Sequence, residues 1–286
     1  MTATSSQRFY YNDSDYLNYE VIGKSGRPIV FLHGFAASLE NWKILTGSLP
    51  AREYQIFLID LKGFGLSAKP RDGKYSMQDN ADLIAQFIRA QKLKDYVLAG
   101  HSFGGGVALL VAIASIDGLL DRPKKLILFD AAAYNSEIPF FVRYLRIPVL
   151  RYVLTDFSPA SFQARYTLTR IVYDKSKITE ALVERYAVPM RTRGYNYALL
   201  QTAAQIIPND SEQIVSRYHS IDIPTLIIWG RDDAVIPLSS GERLAKELPN
   251  ATLHVIDECG HNSFEECSAD AARVIAKFCS AQGGIE

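Results

Sequence analysis

The sequence predicts an α/β fold with a mostly parallel central sheet of about eight strands, helices on both faces and an inserted helical cap. Short runs of β-branched, aliphatic and aromatic residues alternate with helical patterns along most of the 286-residue chain. Near-continuous apolar runs without polar alternation are typical of parallel strands that are buried on both faces. The alternation is interrupted between residues 134 and 221, so this segment is predicted to be inserted between two strands of the sheet.

Each predicted parallel strand is a short apolar run that ends in a turn. Six segments fit this description: PIVFLHG (28–34), YQIFLID (54–60), DYVLAGHS (95–102), KKLILFD (124–130), TLIIWG (225–230) and ATLHVID (251–257). Before the first of them, FYYND and YLNYEVIG predict an antiparallel hairpin at the sheet edge. Helical patterns at 76–93, 105–116 and 238–248 lie between the strands, which indicates a doubly wound sheet.

The interrupting segment is predicted to be a helical cap over residues 134–221, between core parts at 1–133 and 222–286. It is mostly helical in pattern and rich in Tyr, Phe and Arg. In open parallel sheets the ligand crevice lies beyond the carboxyl ends of the strands. An insertion that leaves from one of those ends would therefore cover the crevice.

The first half of this cap contains a long apolar stretch, IPFFVRYLRIPVLRYVL (138–154). As a lid it would line a hydrophobic pocket, with Arg143, Arg146 and Arg151 facing solvent or an anionic group. Packing onto the core, with the arginine stems lying on apolar surface, fits the pattern equally well. Contact with a membrane surface is less favoured, because Pro148 breaks the apolar stripe.

Charge and cysteine content bear on partners and compartment. Lys plus Arg equals Asp plus Glu at 31 each, so no net charge attracts nucleic acid. The start, MTATSSQRFYYNDSDY, lacks the apolar core of a signal peptide, and the longest apolar stretch is too short to cross a bilayer. The chain has an odd number of cysteines, and all three, Cys259, Cys267 and Cys279, are expected to be reduced thiols. We expect a cytoplasmic protein with a small-molecule partner, no nucleic acid and no integral membrane association; no oligomeric state is predicted.

A serine lies in the turn between a predicted strand and a predicted helix, in Gly100-His101-Ser102-Phe103-Gly104. In G-x-S-x-G turns the small residues avoid clashes, the serine Oγ projects above the sheet and the following amide points to a developing oxyanion. A phosphate-binding loop would need G-x-x-x-x-G-K-[ST] or G-x-G-x-x-G with a later acidic residue. Since no Lys follows the glycines, a phosphate-binding loop is disfavoured. The motif alone is weak evidence, and the prediction of Ser102 as a nucleophile depends on its partners.

A serine nucleophile needs a base, and the base needs an orienting acid. His261 in DECGHNSFEE follows the last strand, and Asp233 in WGRDDAVIP follows the strand before it. Considered alone, His261 would be a surface-loop histidine and Asp233 a turn cap. Asp232 is expected to point elsewhere, and Asp130, after an earlier strand, is the reserve acid. The order Ser…Asp…His, each at the carboxyl end of a strand, predicts a catalytic triad.

The oxyanion hole is predicted from two backbone amides. One is the N–H of Phe103, which follows the nucleophile, and the other is the N–H of Phe35 in HGFAAS. His33 is interpreted as a structural residue of the same loop and His101 as a packing neighbour of the turn. No set of His, Cys and carboxylate residues has the spacing of a metal site, so neither a metal nor another cofactor is expected.

With these motifs in place, the chain resembles the α/β-hydrolase superfamily over essentially its whole length. The matching stretches are FLHGFAAS (31–38), LIDLKGFGLSAKP (58–70), GHSFGGG (100–106), WGRDDAVIP (229–237) and CGHNSFEE (259–266). The resemblance implies Ser102 as nucleophile, Asp233 as acid and His261 as base. It also implies a cap between the sixth and seventh strands, and a structural turn at DLKGFGLS.

Differences between the motifs of this chain and those of other members of this superfamily narrow the range of reactions that it is expected to catalyse. Haloalkane dehalogenases and epoxide hydrolases use an Asp nucleophile, so Ser102 disfavours both activities. Carbon–carbon bond hydrolases of aromatic ring-cleavage pathways resemble this chain in WGRDDAVIP, but they usually carry Asn before the serine and Trp soon after the histidine. Here His101 precedes Ser102 and NSFEE follows His261. Cofactor-free haloperoxidases and perhydrolases share the triad.

The preferred function from sequence is a carboxylesterase-type serine hydrolase. It would cleave esters of small to medium hydrophobic substrates through an acyl-enzyme intermediate. The alternatives are a carbon–carbon bond hydrolase of aromatic ring-cleavage products, a perhydrolase, and a ligand-binding receptor or scaffold on the same fold.

Overall fold

The computed structural model describes residues 5–50, 52–135, 142, 145, 147 and 157–281. Most of the apolar stretch 138–154, including Arg143, Arg146, Pro148 and Arg151, lies outside the described residues. Among those described, no helix combines the length and apolar character needed to cross a membrane.

The strands, in chain order, are β1 (Gln7–Tyr10), β2 (Tyr16–Ile22), β3 (Arg27–Leu32), β4 (Tyr54–Ile59), β5 (Val97–His101), β6 (Lys125–Phe129), β7 (Thr225–Gly230) and β8 (Ala251–Ile256). They form one eight-stranded sheet in the order β1-β2-β4-β3-β5-β6-β7-β8. β2 is antiparallel to both its neighbours, β1 and β4, and all other neighbours are parallel. The predicted fold class is confirmed, and the edge hairpin with it.

Both faces of the parallel strands are buried, which explains their unbroken apolar runs. In β3, Ile29 and Phe31 belong to one hydrophobic cluster, whereas Val30 and Leu32 belong to another on the opposite face. All four side chains are fully buried. Side chains of a strand alternate between faces, so a sheet covered on both sides needs an apolar residue at every position.

Helices cover the two faces of this sheet. Before the insertion they are α1 (Lys43–Gly47), α2 (Met77–Ala90) and α3 (Phe103–Ile116). After the insertion, which contains the four helices numbered between them, they are α8 (Leu238–Glu247), α9 (Ser263–Glu266) and α10 (Ser268–Ser280). The start of α2 is fixed by a capping box, in which the Ser76 Oγ accepts the Asp79 N–H at 3.0 Å and the Asp79 carboxylate accepts the Ser76 N–H at 2.9 Å. α2 and α3 pack on one face, and α1 and α10 pack on the other.

Between β6 and β7 in the chain, the described residues 157–221 contain helices and no strand. The helices are α4 (Ala160–Ile171), α5 (Glu180–Met190), α6 (Tyr195–Gln205) and α7 (Ser211–Ser216), with short 3₁₀ turns at Lys175–Lys177 and Tyr218–Ser220. The division of the chain into a cap at 134–221 and a core in two parts remains a prediction. For brevity we call residues 157–221 the cap segment.

Candidate active site

Ser102 lies in the turn between β5 and α3 with φ 49° and ψ −118°. A serine rarely adopts a positive φ, and such a backbone costs about 1–3 kcal/mol unless its surroundings hold it. The end of β6 provides this support, because the Ser102 N–H donates to the Phe129 carbonyl at 3.0 Å and the Ser102 carbonyl accepts the Ala132 N–H at 3.0 Å. The neighbouring strand therefore locks the turn that carries the serine.

The flanking glycines are needed because backbone segments approach each other closely at this turn. A Cβ on Gly104 would lie 2.4 Å from the carbonyl oxygens of Leu32 and His33. A Cβ on Gly100 would lie 2.3 Å from the Gly104 carbonyl oxygen. Backbone atoms cannot rotate away as a side chain can, so the spacing of the motif follows from the packing of α3 against the ends of β3 and β5.

His261 and Asp233 form a buried pair after β8 and β7. The His261 Nδ1–H donates to Asp233 Oδ2 at 2.7 Å, while Asp233 Oδ1 accepts the N–H groups of Val235 at 2.7 Å and Ile236 at 3.0 Å. His261 is 5% exposed and Asp233 8% exposed. Because Nδ1 carries the proton of this hydrogen bond, Nε2 of neutral His261 is the nitrogen that can accept a proton.

The charges around His261 favour its protonated form. Burial lowers the pKa of this imidazole, but the charge of Asp233, its hydrogen bond and the charge of Asp130 raise it, and the balance is a pKa above the ordinary value. A base with such a pKa accepts a proton more readily than a free histidine, provided that the pH keeps it neutral beforehand.

Asp130, the reserve acid, lies at the carboxyl end of β6 but does not contact the His261 ring nitrogen. It has φ 43°, and its carboxylate accepts the Gly230 N–H at 2.8 Å and the Ser263 hydroxyl at 2.5 Å. Burial and the nearby charge of Asp233 raise the pKa of Asp130 well above its usual range. Asp233 is therefore the acid positioned to orient His261, and Asp232 beside it is exposed.

His33 holds the loop that carries the predicted oxyanion donor Phe35. Its Nδ1–H donates to the Gly34 carbonyl at 2.8 Å, and its Nε2 accepts the Leu61 N–H at 3.0 Å. Burial lowers the pKa of His33 to about 4, so the ring is neutral near pH 7. Since a peptide unit is planar and trans, fixing the Gly34 carbonyl also fixes the direction of the Phe35 N–H.

His101 has a more specific position than that of a packing neighbour. Its Nε2–H donates to the His261 carbonyl at 2.9 Å, and the two rings lie 4.8 Å apart between centroids. Burial, reinforced by the nearby His261, lowers the pKa of His101 well below its ordinary value, so the ring remains neutral. It thus connects the serine turn to the backbone of the predicted base.

Ser102 and His261 face the same cavity, which has a volume of about 520 Å³. Core and cap residues together line it, and most are apolar or aromatic: Phe35, Ala36, Ala37, Leu145, Phe162, Tyr166, Ile171, Tyr186, Met190, Tyr195, Leu199 and Phe264. Its neutral polar lining includes Gln163, Thr167 and Asn262. No Lys, Arg, Asp or Glu occurs among the lining residues within the described ranges.

A second, smaller cavity of about 60 Å³ meets the serine from another side. Ser102 and Phe35 line both cavities, whereas Phe103, Tyr134 and Ile236 line only the smaller one. His261 lines only the larger cavity. The site is therefore divided into two unequal compartments that meet at the predicted nucleophile.

Two acidic residues after His261 also belong to this region, and the sequence analysis assigned them no role. The Glu265 carboxylate accepts the Tyr186 hydroxyl at 2.6 Å and pairs with Arg185 at 2.9 Å. Glu266 binds backbone N–H groups of residues 173, 174 and 260. The signal available in the sequence was the acidic pair itself, in NSFEE. In the described part of the chain, no cluster of His, Cys, Asp and Glu could hold a metal ion.

Comparisons with known proteins agree with the fold. A model of the alpha/beta hydrolase fold family matches residues 27–267. The uncharacterised hydrolase YugF of Bacillus subtilis strain 168 is 28% identical, over 97% of this chain and 99% of its own. A 2-hydroxymuconate semialdehyde hydrolase of Pseudomonas sp. strain CF600 is 27% identical, over 89% of this chain and 87% of its own. A solved bromoperoxidase from Bacillus anthracis covers 97% of this chain and 100% of its own, with a TM-score of 0.81 and 22% identity.

Gly104→Ala is expected to destabilise the protein, because the new methyl group would overlap two backbone carbonyl oxygens. Overpacking of this kind costs about 1–3 kcal/mol, measurable by urea unfolding. The matched control is Gly47→Ala in α1, where no atom lies within 4 Å of the added Cβ. Equal unfolding free energies for Gly104→Ala and Gly47→Ala would contradict the close-approach explanation of the motif.

Proposed function

Because the chain belongs to the alpha/beta hydrolase fold family, we propose that it is a serine hydrolase that attacks a carbonyl carbon in a small, largely apolar substrate. The observation that carries the proposal is the shared cavity. Ser102, on its strained turn, and His261, oriented by Asp233, line the same apolar space. In the proposal these three side chains supply a nucleophile, a base and an orienting acid, which is the set that acyl transfer requires.

In the proposed mechanism the Ser102 Oγ attacks the substrate carbonyl while His261 Nε2 takes its proton. Asp233 stabilises the resulting imidazolium. The N–H groups of Phe103 and Phe35 stabilise the oxyanion, at about 3 kcal/mol per donor. His261 then gives the proton to the leaving group as the bond to it breaks. Water, activated by His261, releases the acyl group from Ser102.

An ester of a short acid with a larger apolar alcohol fits the two compartments best. The leaving group must receive its proton from His261, which lines only the large compartment. The acyl group then lies in the small compartment beside Phe103 and Ile236. The neutral described lining of the large compartment supports an uncharged leaving group, because a buried charge without a partner is costly.

Carbon–carbon bond hydrolysis is the second candidate, and the named relatives favour it over ester hydrolysis. Hydrolases of 2-hydroxymuconate semialdehyde and of 2-hydroxy-6-oxo-2,4-heptadienoate are 26–27% identical to this chain. The same nucleophile and base would catalyse carbon–carbon bond hydrolysis, with His261 delivering its proton to the carbon atom of the leaving group. Such substrates carry a carboxylate, for which the described lining offers no cationic side chain.

Replacing Ser102 with Ala tests the proposed nucleophile directly. Loss of a triad member lowers kcat by roughly a thousandfold or more. The variant should unfold near the wild-type temperature, because the substitution removes only the Oγ and keeps the Cβ that the turn already accommodates. Initial rates on p-nitrophenyl acetate, wild type beside Ser102→Ala, measure the effect. Wild-type turnover by a pure variant would refute the role of Ser102.

A set of substrates that differ in acyl group, in alcohol and in the type of bond tests which bond is cleaved and which compartment holds each part of the substrate. With p-nitrophenol as the leaving group, kcat/KM is expected to fall as the acyl chain grows from acetyl to octanoyl, because the small compartment fills. With acetyl held constant, larger apolar alcohols should be accepted. A higher kcat/KM for a 2-hydroxy-6-oxodienoate than for any ester would assign carbon–carbon bond hydrolysis instead. No Ser102-dependent turnover, together with ligand-induced thermal stabilisation, would favour a receptor.

The pH dependence follows from the raised pKa of His261. The base must be neutral, so kcat/KM of the wild type should fall as the pH drops through a pKa above that of an ordinary histidine. Asp233→Asn removes the charge that raises this pKa, so the imidazole titration, followed by NMR, should move to lower pH. Asp232→Asn, at the exposed neighbour, is the control. An unchanged His261 titration in Asp233→Asn would exclude Asp233 as the orienting acid.

A further inference from the structure

The backbone of His261 is attached directly to the cap segment. Its N–H donates to the carbonyl of Ile171, the last residue of α4, at 2.7 Å. On the opposite side, the His261 carbonyl accepts the His101 Nε2–H at 2.9 Å. The backbone of the proposed base is thus hydrogen-bonded on one side to His101, at the end of β5, and on the other side to Ile171 of the cap segment.

A single carboxylate strengthens the attachment on the cap side. Glu266 Oε2 accepts the Gly260 N–H at 2.9 Å and the Tyr173 N–H at 3.0 Å, and Oε1 accepts the Asp174 N–H at 2.7 Å. Gly260 immediately precedes His261, whereas Tyr173 and Asp174 follow α4. Hydrogen bonds to an ionised acceptor are the stronger kind. Glu266 therefore joins the base loop, Gly260–His261, to the cap segment through one hydrogen bond to Gly260 and two to the cap segment.

The contact leaves no room for a side chain at Gly260. A Cβ there would lie 2.4 Å from the Ile171 carbonyl oxygen and 2.8 Å from the Tyr173 nitrogen. Backbone packs directly on backbone, so a displacement of residues 171–174 would be transmitted to the residue that precedes His261. Glu266 is not among the described residues that line either compartment next to Ser102.

We propose that Glu266 is a positioning residue for His261, through which the cap segment takes part in assembling the catalytic base as well as covering the cavity. This inference rests on the proposed function, specifically on His261 as the base. Its physical basis is geometric: a misplacement of about 1 Å, caused far from the chemistry, costs up to about a hundredfold in rate.

The principal test is Glu266→Gln in the full-length protein. The Gln amide offers one oxygen and one NH₂ group to three backbone N–H donors, so at most two of the three hydrogen bonds survive, without a change in size. Rates are measured on p-nitrophenyl acetate, the smallest ester of the substrate series, and are normalised to active serines titrated to end point with a fluorophosphonate. We expect kcat to fall by roughly ten- to a hundredfold, with KM nearly unchanged.

The pH profile separates positioning from simple loss of folded protein. The groups that face His261 are Asp233, Asp130 and His101, and a base loop that has shifted changes their distances from the ring. The acid limb of kcat/KM should therefore move in Glu266→Gln. A purely structural role would lower the melting temperature and leave the acid limb and kcat per titrated serine unchanged.

Glu184→Gln is the matched control, because it removes a carboxylate of the cap segment whose partner is the exposed Arg191. It should retain wild-type kcat. Gly260→Ala provides an independent variant that forces the two backbones apart, and it should reproduce the fall in kcat. If Glu266→Gln does not unfold cooperatively, Glu266→Asp, which keeps the charge on a shorter stem, carries the same test with a smaller expected loss.

The two proposals fail in different ways. Wild-type kcat and an unmoved acid limb in Glu266→Gln, alongside Ser102-dependent turnover in the wild type, would overturn the positioning role alone. Equal losses in Glu266→Gln and Glu184→Gln would overturn it as well. Absence of Ser102-dependent turnover in the wild type would overturn the proposed function and this inference with it.

Discussion

The positive φ of Ser102 is the constraint on which the arrangement of the site depends. A serine in this conformation is strained, and it stays there because hydrogen bonds from the end of β6 hold both of its backbone polar groups. Glycines at 100 and 104 let α3 pack against the carbonyls of the neighbouring strand ends. The turn therefore exists only inside a completed parallel sheet, and the position of the proposed nucleophile depends on the whole fold.

The same sheet edge brings together groups that are remote in sequence, and it places two buried carboxylates, Asp130 and Asp233, close enough for their charges to repel each other. Asp130, Asp233 and His261 follow three adjacent strands, β6, β7 and β8. Two buried carboxylates therefore lie near one imidazole, and their charges both raise the pKa of His261. Asp233 makes the direct hydrogen bond to His261, whereas Asp130, fully buried, has its pKa raised well above its ordinary value. The site thus holds one direct hydrogen bond from the imidazole, to Asp233, where three titratable groups lie close together.

Much of this could be predicted from the sequence, because it depends on local pattern. All eight strands were located to within a few residues, and the motifs around Ser102, Asp233 and His261 were placed at one edge of the sheet, where the structure has them. The helix expected at 105 begins at Phe103, since the serine turn leads directly into α3. The roles of Glu266 and His101 were not predicted. Glu266 contacts a residue 93 positions away, and no periodicity in the chain reports such a contact.

The attachment of His261 to the cap segment changes how the cavity and the chemistry are related. A cap that only covered the pocket would affect binding, and its variation among relatives would alter substrate range while leaving the base alone. Here Ile171 lines the large compartment and also accepts the His261 N–H through its carbonyl. A substrate that displaces α4 as it fills the compartment would therefore also displace the backbone of the proposed base. The same residues would then affect both substrate shape and the position of His261, so substrate fit would change kcat as well as KM.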